Sequence, residues 1–76
     1  MRLTPIDAKK LIKLLSLIGY FSVRQKGSHV ILENRETKKV TVIPMHGKDI
    51  SVGLLSVVLK EVGLSRVEYF KLLKKT

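Results

Sequence analysis

Residues 20 to 43 read YFSVRQKGSHVILENRETKKVTVI, three short alternating runs separated by two short polar breaks. Alternation of apolar and polar residues marks a strand with one buried face. Breaks this short cannot carry a crossover between parallel strands, which takes about a dozen residues or more. The chain is thereby held to an antiparallel meander. In the first run Phe21 and Val23 fall on one face, and Tyr20, Ser22 and Arg24 on the other. Gly27 supplies the positive φ that a tight hairpin needs. In the second run Val30 and Leu32 share one face while His29 and Ile31 take the opposite one. NRETKK makes the second turn, and Pro44 ends the third strand because it cannot donate to a ladder.

Helical patterns flank the meander. TPIDAKKLIKLLSLIG predicts a helix with Thr4 as its N-cap, Pro5 at its first position and Asp7 in its first turn. Ala8, Leu11, Ile12, Leu15 and Ile18 share a face, with Leu14 beside them and Lys9, Lys10 and Lys13 on the other side. Gly19 is placed to stop this helix. After the loop PMHGKDI, Ser51 caps VGLLSVVLKEVG, in which Leu54, Leu55, Val58, Leu59 and Val62 form an apolar stripe. Gly53 is weak helix material, either tolerated or needed where another backbone approaches. Ser65 and Glu68 form a capping box that opens a short last helix. The order predicts an α+β fold of double-stranded RNA-binding-domain type. It has a three-stranded antiparallel sheet with helices packed on one face (α-β-β-β-α, with a short extra C-terminal helix).

Composition narrows the chemistry. The chain has 76 residues, room for a single domain over 1–76. It has no cysteine, which excludes disulfides, thiolate metal sites and a cysteine nucleophile. Two histidines, His29 and His46, fall short of the usual zinc ligand sets. Neither a phosphate-binding loop nor a dinucleotide glycine pattern nor a serine elbow occurs, and the few carboxylates are scattered. No apolar run approaches the length of a membrane span and no signal peptide opens the chain, so a soluble cytoplasmic protein is expected. Fifteen Lys and Arg against six Asp and Glu give a net charge of +9. Such an excess points to a polyanion or an acidic protein as partner.

The stretch VRQKGSHVILENR gathers the candidates. An imidazole can exchange a proton with a ribose 2′-hydroxyl near neutral pH, and that hydroxyl is a nucleophile RNA already carries. His29 is therefore the candidate acid or base, its plain alternative being a strand residue with no task. Arg24 and Lys26 match phosphate oxygens, although a basic hairpin also serves solubility. Gly27 and Ser28 offer a backbone N–H and a hydroxyl to the same phosphate. His46 is a candidate second acid or base, with a loop-structural role as the favoured alternative, and Lys48 is a candidate phosphate contact further along. Tyr20 is the candidate for stacking a base, whereas Phe21, Tyr69 and Phe70 read as core or helix-docking residues.

The ordered series IGYFSVRQKGSHVIL and VTVIPMHGKDISVGLLSVVLKEVGLS closely resembles the HicA toxin family, from Leu11 to about Phe70. That resemblance implies a small mRNA-cleaving ribonuclease of a toxin–antitoxin pair, with the histidine of GSH, here His29, as its catalytic residue. It implies no metal or organic cofactor. It also implies a HicB-like antitoxin that covers the histidine, with DNA contacted only through that antitoxin. Leu54 and Ser56 stand where the family usually has a threonine and a basic residue. The alternative is a noncatalytic RNA-binding domain, or a degenerate toxin acting only through its protein partner.

Overall fold

The computed structural model describes residues 2–45, 47 and 49–76. The elements run β1 (Ile6–Asp7), α1 (Ala8–Ser16), β2 (Tyr20–Lys26), β3 (His29–Asn34), β4 (Val40–Pro44), β5 (Asp49–Ile50), α2 (Val52–Val62) and α3 (Arg66–Leu73). β2, β3 and β4 form the antiparallel meander that the alternation predicts. α1 packs chiefly on β2 and α2 on β4. Leu11, Leu14 and Leu15 of α1 and Leu55, Val58 and Leu59 of α2 join Tyr20, Val30, Leu32 and Ile43 in one buried cluster. Full burial of an aliphatic side chain of this size contributes about 1.5–3 kcal/mol, so a thin core like this rests on few residues. Thr41, the buried polar residue of the sheet, donates its hydroxyl to Glu61 of α2 at 2.8 Å.

The sheet is not a single one. β1 and β5 pair antiparallel as a separate two-stranded sheet, with Ile6 opposite Ile50 and Asp7 opposite Asp49. Two-residue strands leave no periodic trace in a sequence, but both isoleucines are buried. That pairing moves the helix start. Thr4 and Pro5 lie outside α1, and Asp7 is the N-cap instead, accepting the Lys10 N–H at 3.2 Å. Aspartate caps as well as threonine does. Starting the helix later lets Ile6 join the core through its strand.

The later helices begin where the sequence places them. The Ser51 hydroxyl accepts the Leu54 N–H at 3.2 Å. Ser65 and Glu68 complete the reciprocal box at 2.9 and 3.1 Å. The bonds from Ser65, its backbone N–H first, hold the Glu68 carboxyl below its ordinary range. A Cβ on Gly53 would meet nothing within 4 Å, so that glycine is tolerated rather than required.

The register of β2 departs from strict alternation. Ser22 pairs with Leu32 but Arg24 pairs with Ile31, so Val23 is an extra residue, a β-bulge. Side-chain parity inverts there. Tyr20 is 3% exposed, in the core, whereas Phe21 is 58% exposed, the reverse of what unbroken alternation predicts. Tyr20→Ala is therefore expected to cost about 3–5 kcal/mol, in the range of buried aromatic truncations. Phe21→Ala should stay within about 0.5 kcal/mol, as an exposed substitution. Urea unfolding of both variants checks the assignment, and equal losses would contradict it.

Candidate functional site

With α1 and α2 on one side, the other face of the meander is left open by the described residues. Cross-strand pairing sorts its side chains. Val30 with Ile43, and Leu32 with Thr41, point to the helices, so the alternate pairs point away from them. Those alternate positions are Phe21 with Glu33, Arg24 with Ile31 and Lys26 with His29 across β2 and β3. Across β3 and β4 they are His29 with Pro44, Ile31 with Val42 and Glu33 with Val40.

The structure thus brings three of the sequence candidates together. Lys26 stands directly opposite His29, where Cβ atoms of paired residues lie about 5 Å apart. Arg24 follows one same-face step along β2, about 7 Å away along the strand. All three are exposed. They share this face because of the bulge. In a strand of strict period two that buries Tyr20, Arg24 and Lys26 would turn toward the helices.

The hairpin tip is tightly defined. Gly27 and Ser28 form a two-residue connection between Lys26 and His29, with Gly27 at φ +61° in the first position, as in a type II′ turn. The Gln25 side-chain amide donates to the Gly27 carbonyl at 3.1 Å. Ser28 is half-buried, and its carbonyl accepts the Met45 N–H. That bond and the His29–Pro44 pairing hold the end of β4 beside the tip. His46 and Lys48 lie outside the described residues.

The stacking assignment needs correction. Tyr20 is enclosed in the core and cannot receive a base. Phe21 is exposed instead, on the same face as His29, and so are Val40 and Val42. Tyr69 is core as expected, edge-on to Phe70 with ring centroids 5.2 Å apart. The available hint was that apolar alternation stops at Val23, since RQK continues neither face. Among the described residues no group of three or more His, Asp or Glu gathers to hold a metal ion. Among them, no helix is long and apolar enough to cross a membrane.

An antiparallel sheet backed by helices, with a histidine and two cations on one face, defines a small basic α+β protein. The chain matches the HicA toxin family of bacterial toxin–antitoxin systems over residues 8–64, and it belongs to that family. The match ends before α3 (Arg66–Leu73). No curated protein matches the chain.

A Cβ on Gly27 would meet nothing within 4 Å, so within the chain it is the φ of +61° and not a close contact that favours glycine there. Gly27→Ala should cost about 1–2 kcal/mol, the penalty for an L-residue in the left-handed region. Thermal unfolding would read this as a lowered midpoint, and an unchanged midpoint would show that the turn relaxes to another type.

Proposed function

We propose that this protein is a metal-independent endoribonuclease, an mRNA interferase toxin, with its site on the open face around His29. The observation that carries the reading is the placement of His29 opposite Lys26 with Arg24 on the same face, in a chain of the HicA family. As general base, His29 takes the proton of a ribose 2′-hydroxyl. The 2′-oxygen attacks the adjacent phosphorus, and the bond to the 5′-oxygen breaks. The 5′-oxygen leaves with a proton from an acid, giving a 2′,3′-cyclic phosphate and a 5′-hydroxyl. Arg24 and Lys26 offset the charge that builds on the phosphate oxygens. Ser28 and Lys48 extend the phosphate contacts, and His46 is the candidate for the acid.

A HicB-like antitoxin would act by covering this face, and its acidic groups would be drawn to the same cations. The setting in which such a pair works on translated mRNA is the cytoplasm. The order of α1, the β2–β3–β4 meander and α2 supports reading the fold as one of double-stranded RNA-binding-domain type. A second reading, noncatalytic RNA binding, is favoured by the exposed row of Lys9, Lys10 and Lys13 on α1. Shape-readers of that kind work through spread lysines and need no histidine on the sheet.

Incubation with a long single-stranded transcript in EDTA separates the two. His29→Ala should lower the cleavage rate by about 10²-fold or more, the scale of lost general acid–base catalysis, without loss of fold. Products of the parent should end in 2′,3′-cyclic phosphate or 3′-phosphate. Cleavage retained in His29→Ala would sink the assignment. Lys26→Ala should weaken RNA binding across all sequences and reduce the slope of log affinity against log salt by about 1. A slope that does not change would remove Lys26 from the phosphate contacts.

A further inference from the structure

The end of the sheet farthest from His29 carries a groove that this chemistry does not use. It holds about 340 Å³ and is lined by Ile18, Gly19, Phe21, Asn34, Arg35 and Glu36. The exposed Phe21 ring forms one wall. Gly19, at φ +91°, leaves the groove open, since a Cβ there would sit 3.2 Å from the Asn34 side-chain nitrogen. Asn34 is committed to structure. Its amide donates to the Ile18 carbonyl at 3.2 Å, and its Oδ1 accepts the N–H groups of Glu36 and Thr37. These bonds tie the β3–β4 turn to the segment between α1 and β2 and fix where Arg35 and Glu36 emerge.

A solvent-facing aromatic ring beside an exposed arginine suits a nucleotide. The ring offers a face to the base, and the guanidinium fork matches phosphate. Glu33, opposite Phe21 on the open face, and Glu36 repel phosphate and can accept from a base amino group.

We infer that this groove is a nucleotide subsite for single-stranded RNA, in which Phe21 stacks on an unpaired base and Arg35 meets the neighbouring phosphate. Its relation to cleavage rests on the reading of His29 given above. Phe21 pairs with Glu33, four residues along β3 from His29, which is about 13 Å at the rise of a strand. The base held here therefore belongs to a nucleotide outside the scissile pair, and a dinucleotide cannot fill both places. Duplex RNA presents no free base face to the ring.

The test uses 2′-O-methyl RNA, which binds but cannot be cut by 2′-hydroxyl attack. Affinities of a single-stranded dinucleotide and hexanucleotide are measured at low salt for the parent, Phe21→Ala and Phe21→Trp, with folding checked by circular dichroism. Phe21→Ala should bind the hexanucleotide roughly tenfold more weakly, the scale of one lost base stack. Phe21→Trp should retain the parent affinity, and the dinucleotide, which cannot reach both places, should bind the parent more weakly than the hexanucleotide does. Unchanged hexanucleotide affinity in Phe21→Ala overturns the subsite, even if the parent cleaves natural RNA and the His29 reading stands. Weakened affinity in a protein that never cleaves RNA upholds the subsite and removes the nuclease. A loss confined to binding of an acidic protein partner also overturns it.

Discussion

The extra residue at Val23 sets which side chains of β2 meet the core and which meet solvent. The core needs Tyr20, which is among its buried members. In a strand without a bulge, burying Tyr20 would turn Ser22, Arg24 and Lys26 to the same side. Placing a guanidinium and an ammonium against leucines costs several kcal/mol per ion unless each is paired. The bulge removes that conflict by inverting parity between Ser22 and Arg24. The aromatic ring stays inside, and both cations join His29 outside. Bulges recur beside functional sites for this reason: they re-aim side chains without breaking the strand.

The rest of the fold divides its work around that face. Both α1 and α2 serve the same side of the meander, and all the large buried side chains of the sheet point to them. Nothing in the described residues covers the other side, where Phe21, Val40 and Val42 remain exposed among charged neighbours. The small β1–β5 sheet anchors the start of the chain to the segment before α2 through Ile6 and Ile50. The Gly27–Ser28 turn then holds Lys26 and His29 at fixed spacing on a hairpin. A site carried on strands is positioned by the ladder itself, so Arg24, Lys26 and His29 need no lid to be gathered.

Much of this was legible in residue patterns. The meander was, because Val30 and Leu32 repeat at period two and turn-forming residues separate the runs. The stripe of α2 and the Ser65–Glu68 box were, because helical spacing and capping chemistry are local. The side of His29 followed from its parity with Val30. The bulge was not legible, because one added residue changes register through pairing with β3, a long-range matter that no local period reports. Tyr20 and Phe21 were therefore exchanged between core and surface. The β1–β5 pair was hidden for another reason: strands of two residues carry no alternation, and Thr4 with Pro5 reads as a helix start, whereas the tertiary structure places the cap at Asp7. The groove at Phe21 needed the corrected register of β2 and the Asn34 bonds, neither of which a sequence displays.

The central claim is that the open sheet face, and not the lysine row of α1, is the surface that meets RNA. Backbone amide resonances of the ¹⁵N-labelled protein, titrated with uncleavable single-stranded RNA, test it most directly. The account predicts that the perturbed amides map to β2 and β3, from Arg24 through the hairpin to Ile31, while those of Lys9, Lys10 and Lys13 stay in place. Perturbations that follow the α1 lysines and spare the strands would contradict it, and would make this chain a helix-face binder with an idle sheet.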